Sequence, residues 1–210
     1  NYLAITEPKL KSYKEKLLDE AIYRLSDLQH SQKTPILQEL EFYNWLRKEF
    51  TEADHETVFE IVSMDEALEW QNTPEERDFL EVNLLAAKNG ATINRIFAFD
   101  QERIASAREN HGIYQHRTAA RNNLNGFVVD RREMKRKAPT AFLQAGQGFI
   151  LVNRKRVIVD RFEDGEARGF VTFEPAEVAK YIEAYELFAT AKVPLDFSTK
   201  ALPAPNRSDP

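Results

Sequence analysis

The chain has 210 residues, of which 42% are hydrophobic and 30% charged, a balance typical of globular rather than disordered chains. It contains no cysteine, which excludes disulfides, thiol catalysis and cysteine-ligated zinc and is consistent with the reducing cytoplasm, where we expect the protein. The formal net charge of −5 excludes a general attraction of the whole surface to nucleic acid or anionic lipid. Its apolar runs are only strand-length, so we expect no membrane span.

Two amphipathic helices are predicted at the start of the chain. Residues 8–30 repeat apolar side chains at spacings of three and four, and Thr34-Pro35 is typical of the start of a second helix that ends near Phe50. We expect residues 1–52 to be a helical lead-in that connects to an effector domain or mediates self-association through residues 8–50. Because the chain begins with Asn1 and shows no signal peptide, we expect it to be part of a larger protein.

The pattern then alternates between strands and helices. Strands are predicted at residues 57–62, 92–99 and 114–119. The helices between them are expected to start at Thr73, in a capping-box pattern, and at Asp100. This alternation is typical of parallel strands joined by helical crossovers. We therefore expect an α/β domain over residues 56–195, with a mixed, mainly parallel sheet flanked by helices.

Shorter strands and a last helix are predicted downstream. The strands are expected at residues 126–130, 140–143, 148–152, 156–160 and 169–173. Asn153-Arg154 and Asp164-Gly165 are typical of hairpin turns. Pro175 is expected to open the last helix. Residues 196–210, rich in Pro, Ser and Asn, are expected to form a poorly ordered tail.

The motifs of several catalytic and cofactor-binding sites are absent from the sequence. It contains no G-x-S-x-G elbow, no phosphate-binding G-x-x-x-x-G-K-[ST] loop and no G-x-G-x-x-G fingerprint. His111 and His116 are five residues apart across a glycine, which is not a helical metal-ligand spacing. We therefore predict neither a cofactor nor a metal site.

The clearest charge feature is a run of five cations within seven residues: Arg131, Arg132, Lys135, Arg136 and Lys137. Such a run can contact phosphates on a nucleic acid, a nucleotide or a lipid headgroup. The alternative is a solvated loop between two strands, which the acidic balance of the whole chain favours. No aromatic residue interrupts the run to stack on bases.

Two stretches of the chain carry a further pattern. The first contains Trp70, residues 81–83, residues 86–90 and residues 95–97, and the second contains residues 148–159 followed by residues 175–195. Together, over about residues 56–195, they resemble the phospholipase D-like fold, particularly its degenerate versions in bacterial regulatory and uncharacterised proteins. The resemblance implies a mainly parallel sheet flanked by helices.

Active members of that superfamily carry H-x-K-x-x-x-x-D, in which the His attacks phosphorus and the Lys stabilises the phosphate oxygens. The match of the family's strand-turn-strand places Gly146, Gly148 and Asn153 at the His, Lys and Asp positions. No histidine elsewhere is followed two residues later by a lysine. The resemblance therefore implies a domain without the usual nucleophile, and we expect that it is not an enzyme.

These observations favour a non-catalytic ligand-sensing or protein-interaction domain of a larger bacterial regulatory protein. The pocket is expected at the carboxyl ends of the parallel strands, with ligand-binding residues Ser63, Met64, Trp70, Asp100, Arg117 and Arg121. One alternative is a nucleic-acid-associated module that uses residues 131–137, and another is an unrecognised phosphodiesterase. The expected partner is another protein or a covalently attached effector domain.

Overall fold

A computed structural model of the protein describes residues 39–64, 74–100, 123–146, 148–163 and 166–194. Within these ranges the helices are α1 (Glu39–Thr51), α2 (Pro74–Lys88), α3 (Arg131–Lys137), α4 (Pro139–Ala145) and α5 (Pro175–Ala191). The strands are β1 (Val58–Ser63), β2 (Thr92–Phe99), β3 (Leu124–Asp130), β4 (Gly148–Val152), β5 (Arg156–Glu163), β6 (Glu166–Thr172) and β7 (Val193–Pro194). None of these helices is both long and apolar enough to cross a membrane.

Several predicted elements lie outside the described residues. They are the helix at residues 8–30, the helix expected to start at Asp100, the strand at residues 114–119 and the tail at residues 196–210. The second predicted helix is described from Glu39 to Thr51.

The described strands form one mixed sheet in the order β6-β5-β4-β1-β2-β3-β7. The pairs β1–β2 and β2–β3 are parallel, whereas the four other neighbouring pairs are antiparallel. The predicted α/β class, with a mixed sheet flanked by helices, is confirmed. The parallel part is smaller than expected, because β4, β5 and β6 extend the sheet as hairpins and β7 returns beside β3.

The third parallel strand is β3, which the sequence pattern placed among the short strands after the parallel part. The residues of β3 read Leu-Asn-Gly-Phe-Val-Val-Asp, and Gly126 weakens a strand pattern because it offers no side chain to pack. Its register with β2 nevertheless runs from Leu124 opposite Ile93 to Asp130 opposite Phe99.

Helices cover both faces of the sheet. On the first face, α1 and α2 pack on the strands, and the rings of Phe50 and Phe59 stack with centroids 4.2 Å apart. On the second face, α3, α4 and α5 pack on the strands, and the rings of Phe149 and Tyr181 meet edge-on at 5.1 Å. We call these the α1 face and the α5 face. Helix α1 shares the core of the sheet, whereas the division of the chain at residues 52 and 195 stays a prediction.

Residues 131–145 form two short helices where the sequence pattern favoured a solvated loop at 131–137 and a strand at 140–143. The segment Thr140–Leu143 is too short for its period to distinguish a strand from a helix. Pro139 occupies the first turn of α4, where the missing N–H has no cost. Ala141 and Ala145, four residues apart, are then buried on one side of α4.

The predicted turns are confirmed where the structure describes them. Asn153 and Arg154 connect β4 to β5 with φ angles of 51° and 53°, as a hairpin turn with two left-handed residues requires. Gly90 follows α2 with a φ of 103°. Strands β5 and β6 pair with Glu163 opposite Glu166, and the predicted turn residues 164–165 lie outside the described residues.

Gly169 in β6 makes a testable contact with α1. A Cβ atom at this position would lie 2.2 Å from Phe42 Cε2 and 2.6 Å from the Val159 carbonyl oxygen. We therefore expect Gly169→Ala to lower the free energy of unfolding by about 1–3 kcal/mol, the usual cost of overpacking a core, as measured by urea denaturation. In a Phe42→Ala background the cost should be smaller. An equal cost in both backgrounds would contradict the contact.

Candidate functional site

The carboxyl ends of β1, β2 and β3 lie together at one end of the sheet, which we call the carboxyl end. Ser63 closes β1, Asp100 follows β2 and Asp130 closes β3. The ends of β2 and β3 are level, since Phe99 lies opposite Asp130, whereas Ser63 lies opposite Phe97, three residues before Asp100. Crevices outside the carboxyl ends of parallel strands are where open α/β sheets usually bind ligands. This end is therefore the candidate functional site.

Asp130 joins β3 to α3 without an intervening loop. Its Oδ1 accepts hydrogen bonds from the backbone N–H of Arg132, at 2.8 Å, and of Glu133, at 3.0 Å. These bonds satisfy two amides that a helix start leaves without intrahelical partners. The carboxylate also complements the positive end of the helix. This cap explains why residues 131–137 form a helix rather than the loop that the charge run suggested.

Three cations share one exposed face of α3. Arg132, Lys135 and Arg136 are three and four residues apart, so they project from the same side of the helix, and all three are exposed. Met134, 2% exposed, anchors the opposite side of α3 in the core of the α5 face. No described carboxylate pairs with Lys135 or Arg136. We call Arg132, Lys135 and Arg136 the cationic face.

The other two predicted cations of α3 have local partners. The guanidinium carbon of Arg131 lies 5.9 Å from the centroid of the Phe142 ring, a cation–π distance. Lys137 Nζ lies 2.5 Å from Glu133 Oε1, one helical turn earlier. The five predicted phosphate contacts are therefore not equivalent, and three of them form the cationic face.

Asp100 links the end of β2 to the cationic face. Its Oδ1 lies 3.6 Å from Arg132 Nε, and the two side chains are 32% and 66% exposed. An ion pair this exposed contributes at most about 1 kcal/mol to stability. It does, however, place a carboxylate beside one of the three cations.

The other predicted ligand-binding residues have different positions. Ser63 is half-buried at the carboxyl end, whereas Met64 is 4% exposed and packs in the core of the α5 face. Trp70, Arg117 and Arg121 lie outside the described residues. A ligand-binding role for these five residues and for Asp100 stays a prediction. Across the described ranges, no three or more acidic or histidine side chains are grouped so that they could hold a metal ion.

The three positions aligned with the phospholipase D-like motif do not converge. Gly148 pairs with Ser63 at the carboxyl end, and a Cβ there would lie 3.0 Å from the Val62 carbonyl oxygen. Gly146 ends α4 with a φ of 57°. Asn153 lies beyond the opposite end of β4, where its Oδ1 accepts a hydrogen bond from the Val58 N–H at 2.7 Å. In this structure Gly148 allows two strands to approach closely, Gly146 ends a helix, and Asn153 belongs to a turn.

Sequence reasoning missed an ion cluster at the amino end of the sheet. Glu60, only 8% exposed although it lies within β1, accepts hydrogen bonds from Arg154 Nε at 2.7 Å and Nη2 at 2.6 Å. Arg154 Nη2 also donates to Glu186 on α5 at 2.5 Å. These hydrogen bonds raise the pKa of Arg154, and burial together with the nearby Glu60 carboxylate raises the pKa of Tyr185. The sequence signal was a charged residue inside an apolar strand.

A second buried charge lies in β2 on the α1 face. Arg95 is 1% exposed, and its Nη2 donates to Asn83 Oδ1 on α2 at 2.9 Å. Its guanidinium carbon lies 5.7 Å from the ring centroid of Phe79 and 5.9 Å from that of Phe97. Desolvation lowers the pKa of Arg95 to about 9. This residue connects α2 to the sheet through polar and aromatic contacts.

Comparisons with known proteins find only distant structural similarity. No protein family model and no curated protein matches the chain. Among solved structures the chain is similar to TrmBL2, an archaeal chromatin protein with a novel mode of DNA binding, at a TM-score of 0.46 and 11% identity. That match covers 89% of this chain and 64% of TrmBL2, so the chain spans less than two thirds of that protein.

A second similar structure is that of Nuc from Salmonella typhimurium, described as a phospholipase D family member. The TM-score is 0.48 and the identity 11%, and the match covers 77% of this chain and 97% of Nuc. At these TM-scores and identities, neither similarity assigns a family or a function to this chain. Function has to be inferred from the side chains of this chain.

The cap of α3 can be tested by two substitutions at Asp130. Asp130→Ala removes the acceptor for the Arg132 and Glu133 amides, so we expect a loss of about 1 kcal/mol, measured by urea denaturation. Asp130→Asn keeps an acceptor oxygen and should change stability by only a few tenths of a kcal/mol. Equal losses from both variants would show that the charge of Asp130, rather than its capping bonds, stabilises α3.

The ion cluster predicts a difference between Arg154 and Glu186. Arg154→Ala leaves the buried Glu60 carboxylate without the two hydrogen bonds described above, and we expect a loss of about 1–3 kcal/mol in denaturant unfolding. Glu186→Gln, on the exposed side of the same cluster, should cost at most about 0.5 kcal/mol. Similar losses from both variants would contradict the central role of Glu60.

Proposed function

We propose that the chain is a non-catalytic binding domain of a larger regulatory protein and that helix α3 contacts the phosphates of a nucleic acid. The proposal rests on one observation: Arg132, Lys135 and Arg136 share one exposed face of a helix. Residues three and four apart on a helix have Cβ atoms about 5–6 Å apart. Duplex DNA has one phosphate per ~3.4 Å of axis on each strand, so neighbouring cations can contact different phosphates.

The local charge of α3 supports this proposal although the whole chain is acidic. The helix carries five cations and one carboxylate, whereas the formal net charge of the chain is −5. At physiological ionic strength the Debye length is about 8 Å, so exposed charges farther from a bound phosphate are largely screened. A nucleic acid would therefore respond mainly to the side chains around α3.

The chemistry of the cationic face favours contact with the phosphate backbone rather than with bases. Lysine and arginine contacts to phosphate position a protein on nucleic acid without reading its sequence. The segment 131–137 contains no aromatic residue on which a base could stack. We therefore expect weak, strongly salt-dependent binding with little sequence preference.

Binding can be measured with the full chain by fluorescence anisotropy of a short labelled DNA duplex and of one of its single strands. We expect affinity to fall steeply between about 50 mM and 200 mM salt. Replacing Lys135 and Arg136 by Ala should weaken binding at low salt and reduce the slope of log affinity against log salt by about 0.9 per lost contact with duplex.

The matched control replaces Lys88 and Lys155 by Ala. These exposed lysines lie at the amino end of the sheet, Lys88 as the last residue of α2 and Lys155 in the β4–β5 turn, and their removal changes the net charge equally. Equal effects of the two double variants would overturn the role of α3, and so would undetectable binding at low salt. If the chain hydrolyses the DNA and a single point substitution abolishes this hydrolysis, the non-catalytic part of the proposal is overturned.

A second candidate function is the sensing of a small ligand at the carboxyl end. It is favoured by the position of Ser63, Asp100 and the start of α3 at the same end of the sheet, where open α/β sheets bind ligands. Mass spectrometry of small molecules retained through native purification tests it. A molecule lost on substitution of Ser63 or Asp100 would support sensing, and a protein purified empty would favour binding of macromolecules. A bacterial source and a cytoplasmic location stay predictions.

A further inference from the structure

We infer that Asp100 is an internal competitor for the cationic face and limits its affinity for nucleic acid, an inference that rests on the proposed function. Asp100 follows β2, whereas Arg132 belongs to the helix that follows β3. Their side chains meet across the carboxyl end, with Asp100 Oδ1 3.6 Å from Arg132 Nε. A phosphate that approaches Arg132 must therefore share it with a carboxylate already present.

The geometry keeps this carboxylate beside the helix. Strands β2 and β3 are paired up to Phe99 and Asp130, so the residues that follow them emerge next to each other. Helix α3 begins at the residue after Asp130, and Asp130 Oδ1 accepts a hydrogen bond from the Arg132 N–H. The positions of Asp100 and Arg132 are thus set by the sheet and the cap.

The ion pair is exposed enough to exchange partners. The Arg132 side chain is 66% exposed and the Asp100 side chain 32% exposed. Exposed pairs are weak, so a phosphate can replace Asp100 as the partner of Arg132. After the replacement, Asp100 still lies near the phosphate and repels it. Two unit charges at about 4 Å in water interact by about 1 kcal/mol, so removing this repulsion should strengthen binding on the order of fivefold.

The test compares Asp100→Asn with Asp78→Asn in the full chain, using the labelled DNA duplex at low salt. The control is closely matched, because Asp78 Oδ2 also lies 3.6 Å from an arginine nitrogen, that of Arg47, where α2 packs on α1. We expect Asp100→Asn to tighten binding about fivefold and Asp78→Asn to leave it nearly unchanged. Arg132→Gln should weaken binding, and in that background the effect of Asp100→Asn should become smaller.

The outcomes separate the two proposals. Binding that depends on Lys135 and Arg136 but responds equally to Asp100→Asn and Asp78→Asn would overturn the inference and leave the proposed function standing. A wild-type chain that does not bind DNA overturns both. If Asp100→Asn fails to fold, the inference is tested instead by the Arg132 Nε–H signal in NMR spectra of the wild-type chain. A shift of this signal on DNA addition supports the exchange of partners, and an unchanged signal overturns it.

Discussion

The positions of the charged residues in the parallel strands depend on the burial of these strands on both faces. In β1, Phe59 and Ile61 contribute to the core under α1, and Val62 contributes to the core under α5. A charge in such a strand is costly unless it is paired and hydrogen-bonded. Glu60 satisfies this condition through Arg154, and in β2 Arg95 donates to Asn83 between aromatic rings. Other charges of the parallel strands appear where the strands end.

The same constraint orients helix α3. Asp130 has to leave the buried part of β3, and its carboxylate then caps the helix that begins at the next residue. Met134 returns to the core on the side of α3 that faces the sheet. With the first turn capped and the middle anchored, the cationic face can only point to solvent. Its orientation therefore follows from strand register and one buried methionine rather than from attraction among charges.

Much of the fold could be predicted from local patterns. Strands β1 and β2 are rich in β-branched and aromatic residues, and α5 begins at a proline, so their existence follows from the sequence. Helices α3 and α4 could not be predicted in this way, because a short charged run is compatible with a loop until the tertiary position of Met134 is known. The pairs Asp100–Arg132 and Glu60–Arg154 join residues 32 and 94 positions apart, so only the register of the sheet brings them together.

The carboxylates beside the cationic face have a consequence for how such a surface would act. Asp100 and Glu133 each lie next to a cation of α3, and the formal net charge of the whole chain is −5. A helix of seven residues spans only about 10 Å, which limits the number of phosphates that it can contact at once. Weak binding of this kind gains strength when a second binding module in the same assembly raises the effective concentration, because the second contact is then intramolecular. The low intrinsic affinity inferred for α3 is therefore compatible with a domain that acts within a larger protein.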